Sequence, residues 1–298
     1  FFLKIFHYNF NVIGELNKFN PSVVLTAGFN PTMLIAWFWV LLRFKKHIPF
    51  SDANMHSERS LSILHKIIRK IVFSSSNAFI GASEGTLELY KSYKIPSDKL
   101  FKSCLAIDNF KYKKLDEKKD YDLMFCGQFI KRKQPMFFCE IAKMVFESKK
   151  DLKILLLGSG PLKADCLKYL SDNKINYTDA GFVQPIDLPS FYKRARLFLF
   201  PTQQDPWGLV ANEALAAGAP VLVSSVAGSA NELVIDNFNG FIFDNLDKSR
   251  WVEKINFVFK HVNIENKMSL NAAKSIENYT FSSAAKGIYN AIKFVIKN

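Results

Sequence analysis

The sequence predicts a doubly wound α/β fold in two units, on three observations. Short β-branched and aliphatic runs alternate with longer stretches at helical spacing, the mark of parallel strands covered by helices. At 298 residues the chain exceeds one ordinary domain. A charged stretch without apolar periodicity, 111–121, interrupts the alternation once, and the pattern then restarts.

In the first part, Val23-Val24-Leu25-Thr26 reads as a buried strand after Asn20-Pro21. A helix is expected over 31–46, a short strand over 48–50 ending in Ser51-Asp52, and a helix over 61–73 with Arg and Lys between its apolar residues. A strand over 78–81, a helix over 86–93 and a strand over 100–107 follow. After the charged stretch, strands are expected at 122–126, 153–157, 175–179, 197–200, 221–224 and 240–243. Helices are expected at 135–148, 162–173, 188–195, 209–217 and 231–236. Ligands of open parallel sheets bind at the carboxyl ends of strands, so chemistry is to be sought in the loops leaving them.

Composition narrows the function classes. Apolar residues make up 49% and charged residues 22%, the balance of a globular protein able to bury two cores. Net charge is +13, of which residues 1–115 carry about +9. The excess suits phosphates or an acidic membrane surface, or is a solvated lysine-rich face. No helix-turn-helix, zinc-ligand or aromatic-basic pattern supports nucleic acid as a partner. Cys104, Cys126, Cys139 and Cys166 have no metal or redox spacing and read as buried thiols of a reducing, cytoplasmic compartment. The start, Phe1-Phe2-Leu3-Lys4, has neither Met nor the pattern of a leader. The most apolar stretch, 33–42, is too short to span a bilayer.

The richest segment is Pro201-Thr202-Gln203-Gln204-Asp205-Pro206-Trp207-Gly208-Leu209-Val210-Ala211-Asn212-Glu213, which leaves a strand and opens a helix. Gly208 lets a ligand approach the backbone, and the first helical amides, at Leu209 and Val210, form an anion site. Two acids eight positions apart, Asp205 in the loop and Glu213 one turn into the helix, can face one ligand. The alternative on spacing alone is an N-capping Asp and an exposed helical Glu. Upstream, Gly127-Gln128-Phe129-Ile130-Lys131-Arg132-Lys133 ends a strand in a glycine turn and a basic cluster. Those cations can neutralise a diphosphate, or form a solvated basic loop.

This combination resembles glycosyltransferase family 4, retaining enzymes of the GT-B fold. Asp205 stands at the first of the family's two acids, Trp207-Gly208 follow it, and Glu213 is the second. The run Ala216-Ala217-Gly218-Ala219-Pro220-Val221-Leu222, then Gly228, Asn231-Glu232-Leu233 and Asn239-Gly240-Phe241, also matches. Lys133 matches the Lys that grips the donor diphosphate; Gln128 replaces the usual Arg, with Arg132 nearby to supply the charge. Gly158-Ser159-Gly160-Pro161 resembles the family's glycine turn, and Gly181-Phe182-Val183 with Tyr192 its loop beside the nucleobase. Asp52, Asn54 and His56 fall where family members line the acceptor side.

The resemblance implies a GT-B fold: two Rossmann-like doubly wound domains facing a cleft. Residues 1–115 would be a truncated acceptor-side domain and 116–281 the donor domain, with helix 282–298 crossing back to the first. It implies transfer of a hexosyl group from a nucleoside-diphosphate sugar to a glycan, lipid-linked or other hydroxyl acceptor, without metal or other cofactor. Asp205, Glu213 and Lys133 are the catalytic candidates. Gly127, Gln128, Arg132, Gly158, Gly181, Phe182, Val183, Tyr192, Trp207, Gly208, Leu209 and Val210 are the donor-binding ones. Trp37, Phe38 and Trp39 beside Arg43, Lys45 and Lys46 suit peripheral docking at an anionic inner membrane face, or a core helix. The alternatives are a non-catalytic nucleotide-sugar binding module and a membrane-associated interaction protein. A nicotinamide oxidoreductase fails because Gly158-Ser159-Gly160 lacks the third glycine.

Overall fold

The computed structural model describes residues 9–59, 61–113, 119–244 and 246–297. Residues 114–118 of the expected linker lie outside this set. The chain divides into two units, Phe1–Leu105 with Ser282–Asn298, and Ala106–Phe281.

In the first unit the order is α1 (Asn11–Phe19), β1 (Val23–Ala27), α2 (Pro31–Leu42), β2 (Lys46–Ser51), α3 (Met55–Arg59), α4 (Ile63–Ser74), β3 (Phe79–Gly81), α5 (Glu84–Ser92) and β4 (Leu100–Lys102). The four strands form one parallel sheet in chain order. Three helices start with a polar cap: Asn30, Ser62 and Ser83 each accept an amide hydrogen of the first turn. Phe73 of α4 packs edge-on against Phe79 of β3 and Tyr90 of α5, with ring centroids 5.4 and 5.3 Å away. The last helix of the chain groups with this unit. Its Ala291 and Val295 bury against Ile48, Ala78 and Ile80.

The second unit contains α6 (Asn109–Tyr112), β5 (Tyr121–Cys126), α7 (Pro135–Ser148), β6 (Lys153–Leu157), α8 (Lys163–Asp172), β7 (Asn176–Gly181), α9 (Leu188–Tyr192), β8 (Ala195–Phe200), α10 (Leu209–Ala216), β9 (Val221–Ser224), β10 (Gly240–Phe243), α11 (Lys248–Lys260) and α12 (Val262–Ser275); α13 (Phe281–Lys297) ends the chain. Its six parallel strands run β10-β9-β8-β5-β6-β7. The order reverses between β5 and β8, the switch point at which such sheets leave a crevice. β5, β6, β8 and β9 are buried almost end to end, as expected of strands with a covered sheet on both faces. Trp251 of α11 is wholly buried and stacks on Phe243 of β10 at 4.4 Å.

Several boundaries differ from the sequence expectation. The division falls at Leu105, ahead of the charged stretch, because Asn109 Nδ2 donates to the carbonyls of Ile276 and Tyr279 at 3.0 and 3.1 Å and so holds α6 to the second unit. The helix expected over 31–46 ends at Leu42, and β2 begins at Lys46. Phe44 between them adopts φ 53°, which no helix continues through. The strand expected over 100–107 stops at Lys102, and the helix expected over 188–195 stops at Tyr192 so that β8 can begin at Ala195. Residues 231–236 form a turn rather than a helix. Asn231 has φ 62°, and Asn239 ties the turn by accepting from Ile235 N at 2.7 Å and donating to Leu233 O at 2.9 Å. α1, α3, α11 and α12 were not anticipated.

Among the described residues no helix is long and apolar enough to cross a membrane. Cys104, Cys139 and Cys166 are buried and Cys126 is partly so.

Candidate active site

The loops leaving β5 and β8 meet at the switch point. After β5 the chain turns through Gly127 and Gln128 into a single 3-10 turn, Lys131–Lys133. After β8 it runs through Pro201 to Gly208 into α10. Gln203 N and Thr202 Oγ1 donate to the Arg132 carbonyl at 2.9 and 3.2 Å, and Arg132 Nη1 returns a bond to Gln204 O at 2.5 Å. Backbone pairing thus fixes a basic turn beside an acidic loop.

The side chains complete the pairing. The Lys133 ammonium forms an ion pair with Asp205, and Arg132 Nη1 lies 3.7 Å from the same carboxylate. Asp205 is 8% exposed, so this is a largely desolvated pair. The other Asp205 oxygen accepts Trp207 N at 3.3 Å, and its carbonyl accepts Gly228 N at 3.0 Å. Lys133 Nζ also sits 5.2 Å from the Phe200 ring centroid. The two candidates are therefore in contact, one cation and one anion, at a strand end.

Gly208 begins α10 with φ 93° and no side-chain cap. A side chain there would run into the Phe200 ring, so the helix opens with bare backbone. The amides of Leu209 and Val210 are in its first turn and lack carbonyl partners within the helix. Glu213 lies further along α10. Its Oε1 accepts the Tyr112 hydroxyl at 2.9 Å. Burial pushes the Glu213 carboxyl above its usual range, and the nearby hydroxyls of Tyr192 and Tyr112 partly restrain the rise. Burial likewise lifts the Cys126 thiol, which feels the charges of both Glu213 and Lys133, to about 12.

Three glycines close the floor. Gly127 N donates to Leu157 O at 3.1 Å, and Gly158 N to Gly181 O at 2.6 Å, so the turns after β5, β6 and β7 are backbone-linked in order. Gln128 and Phe182 are exposed and Val183 is half-buried. Gly208, Leu209 and Val210 stand at the helix start as described.

Two of the expected donor-binding residues turn their side chains inward. Tyr192 is wholly buried, and Trp207 is 2% exposed. Trp207 Nε1 donates to Asn212 Oδ1 at 2.7 Å, and its ring stacks on Tyr279 at 5.8 Å. Both rings are thus packed in the interior and present no open face. Tyr112 and Asn109 were missed because they lay at the edge of a lysine-rich stretch taken as linker. The available signal was the pair of aromatic residues, Phe110 and Tyr112, at the start of that lysine-rich stretch.

Asp52, Asn54 and His56 belong to the first unit, in the loop after β2 and on α3. Asp52 and His56 are exposed. Asn54 opens α3, its Oδ1 accepting Ser57 N at 2.9 Å. Among the described residues no group of three or more His, Cys, Asp or Glu is placed to hold a metal ion.

A model of the family described as glycosyl transferases group 1 matches residues 107–275, which include every donor-side residue above. The chain belongs to this family. The uncharacterized glycosyltransferase MJ1607 of Methanocaldococcus jannaschii is 28% identical over 180 residues, covering 59% of this chain and 45% of that protein. The capsular polysaccharide biosynthesis glycosyltransferase CapM of Staphylococcus aureus is 26% identical over 231 residues, covering 75% and 57%. The chain spans about half the length of these curated relatives. Among solved structures, Anabaena Alr3699/HepE in complex with UDP superposes with a TM-score of 0.81 at 12% identity, over 95% of this chain and 81% of that one. This group 1 glycosyltransferase chain therefore has the GT-B type of fold, with two parallel-sheet Rossmann-like units.

Proposed function

We propose that the protein transfers a hexosyl group from a nucleoside-diphosphate sugar to a hydroxyl acceptor with retention at the anomeric carbon. The observation that carries the reading is the Lys133–Asp205 pair, with Arg132 beside it, at the switch point and close in sequence to the uncapped start of α10. A leaving diphosphate needs cations and amide dipoles held in place before the reaction. Lys133, Arg132 and the Leu209 and Val210 amides provide both. Asp205 would hold donor sugar hydroxyls and Glu213 the ribose. The bond from the anomeric carbon to the phosphate oxygen breaks with its electron pair on the diphosphate. The acceptor oxygen bonds from the same face, and its proton passes to the leaving phosphate. The charge needed at the phosphates is supplied by side chains, so the reading invokes no metal. UDP in the Anabaena HepE structure supports a nucleotide-sugar donor, and the similarity to CapM, a capsular polysaccharide biosynthesis glycosyltransferase, supports a glycan acceptor.

The test is calorimetry with UDP, GDP and ADP. Lys133→Ala should weaken whichever binds best by about 1.5–3 kcal/mol, the worth of a charge-assisted hydrogen bond. Unchanged binding in a folded variant overturns the assignment.

A second feature favours peripheral docking on an anionic, cytoplasm-facing membrane. Of the three aromatic residues expected to dock, Trp39 is buried and Trp37 donates to Ser75 Oγ at 2.9 Å, leaving Phe38 exposed. Helix α4 contributes more. Ile63, Leu64, Ile67 and Ile71 are each at least half exposed, with Lys66 and Lys70 between them. A cavity of about 290 Å³ at its end is lined by Lys70, Lys94 and Lys99. An apolar stripe rimmed by cations suits anionic headgroups.

A further inference from the structure

We propose that Tyr112 is a positioning residue for nucleoside recognition, aiming Glu213 at the ribose through the hydrogen bond between its hydroxyl and Glu213 Oε1. The inference rests on the donor reading given above and adds a residue to it from outside the strand-end loops.

The geometry is specific. Tyr112 lies on α6, the short element that opens the second unit, and is 6% exposed. Its hydroxyl is 2.9 Å from Glu213 Oε1. Its ring meets the Tyr192 ring edge-on at 5.8 Å, and Tyr192 in turn packs on Phe198 of β8 at 5.6 Å. The phenol is thus braced from the sheet. The far side of α6 is held by Asn109, which donates to the carbonyls of Ile276 and Tyr279. Tyr279 stacks on Trp207, and Trp207 bonds Asn212, the neighbour of Glu213. Glu213 is therefore set by contacts on both sides. The Tyr192 hydroxyl is fully buried beside Glu213 and Cys126, yet makes no well-formed hydrogen bond.

A carboxylate has room for several donors. With Oε1 bonded to Tyr112, the second oxygen remains for ribose hydroxyls. A buried carboxylate with no fixed donor would pay more desolvation and rotate more freely. The groups facing Glu213 are Tyr112 from α6, Tyr192 from α9 and Cys126 at the end of β5, with Lys133 acting on that same thiol. Of the two hydroxyls that face Glu213, that of Tyr112 makes the well-formed hydrogen bond, and its removal leaves the ring contact with Tyr192 in place.

The experiment compares Tyr112→Phe with wild type, using the diphosphate that binds wild type best among UDP, GDP and ADP, and its 2′,3′-dideoxy counterpart. The variant keeps the ring contact with Tyr192, and its folding is checked by thermal melting. Binding of the ribonucleotide should weaken about tenfold, one hydrogen bond to an ionised group. Binding of the dideoxy nucleotide should be unchanged. Ribonucleotide binding should also fall off at higher pH on acidification, because the phenol no longer favours ionised Glu213. Unchanged ribonucleotide binding, or equal loss for both nucleotides, overturns the proposal alone. A wild-type protein that binds no nucleoside diphosphate overturns the donor reading and the proposal with it.

Discussion

His47 shows how a single polar residue is accommodated in the core of the first unit. It is wholly buried on β2, with Nδ1 2.8 Å from Ser76 Oγ and Nε2 3.0 Å from Thr26 Oγ1. Burial lowers its pKa from 6.5 to about 4. Because the folded value is depressed, the unfolded chain binds the extra proton first as pH falls. Stability should therefore be full above about pH 6.5, decline between there and about 4, and then level off. The loss should be on the order of 3 kcal/mol. Urea titrations across that range check it, and His47→Gln should flatten the slope. A wild-type slope equal to the variant's would show that His47 does not titrate in this way.

At the scale of elements, the site is built from turns whose backbones touch. Gly158 has φ 119°, and a Cβ there would overlap the Gly127 carbonyl oxygen. Gly181 also has positive φ, at 68°, but open space surrounds it. The two glycines should respond differently to the same change. Gly181→Ala should cost about 1–2 kcal/mol, the strain of a left-handed alanine. Gly158→Ala should cost about 3 kcal/mol or more, since overlap adds to strain and the turn after β5 must move. Chemical denaturation of both variants measures the difference, and nucleotide binding should weaken only in Gly158→Ala. Equal costs would mean that the turns are not in close contact.

At the scale of the whole molecule, charge dominates. The net charge of +13 and the exposed isoleucines of α4 act together only at a surface that is both apolar and negative. Vesicle co-sedimentation should show binding to phosphatidylglycerol-containing vesicles at low salt, fading as ionic strength shortens the Debye length. Replacing Lys66 and Lys70 with Glu should weaken that binding at least about tenfold, at roughly 1 kcal/mol per cation removed. Equal binding to neutral vesicles, or none to anionic ones at low salt, would leave the charge as a solvated face.

The sequence by itself determined the parallel α/β architecture and nearly every strand of the second unit. A strand buried on both faces is a continuous apolar run, which is local information: 153–157, 221–224 and 240–243 were read with the bounds they have in the fold. It also singled out Lys133, Asp205, Gly208 and Glu213 as candidates, because a glycine turn or helix start next to a charge is readable from neighbours in the chain and these neighbours resemble the family's motif. The outcome of 231–236 was decided by Asn239, whose side chain ties that turn from outside it. Only the tertiary structure decided that Lys133 meets Asp205, 72 residues on, and that Tyr112 meets Glu213, 101 residues on. It also decided that Tyr192 and Trp207 turn inward. Hydrogen bonds and burial across such separations depend on which strand ends the sheet order brings side by side, and no local pattern of residues encodes that order.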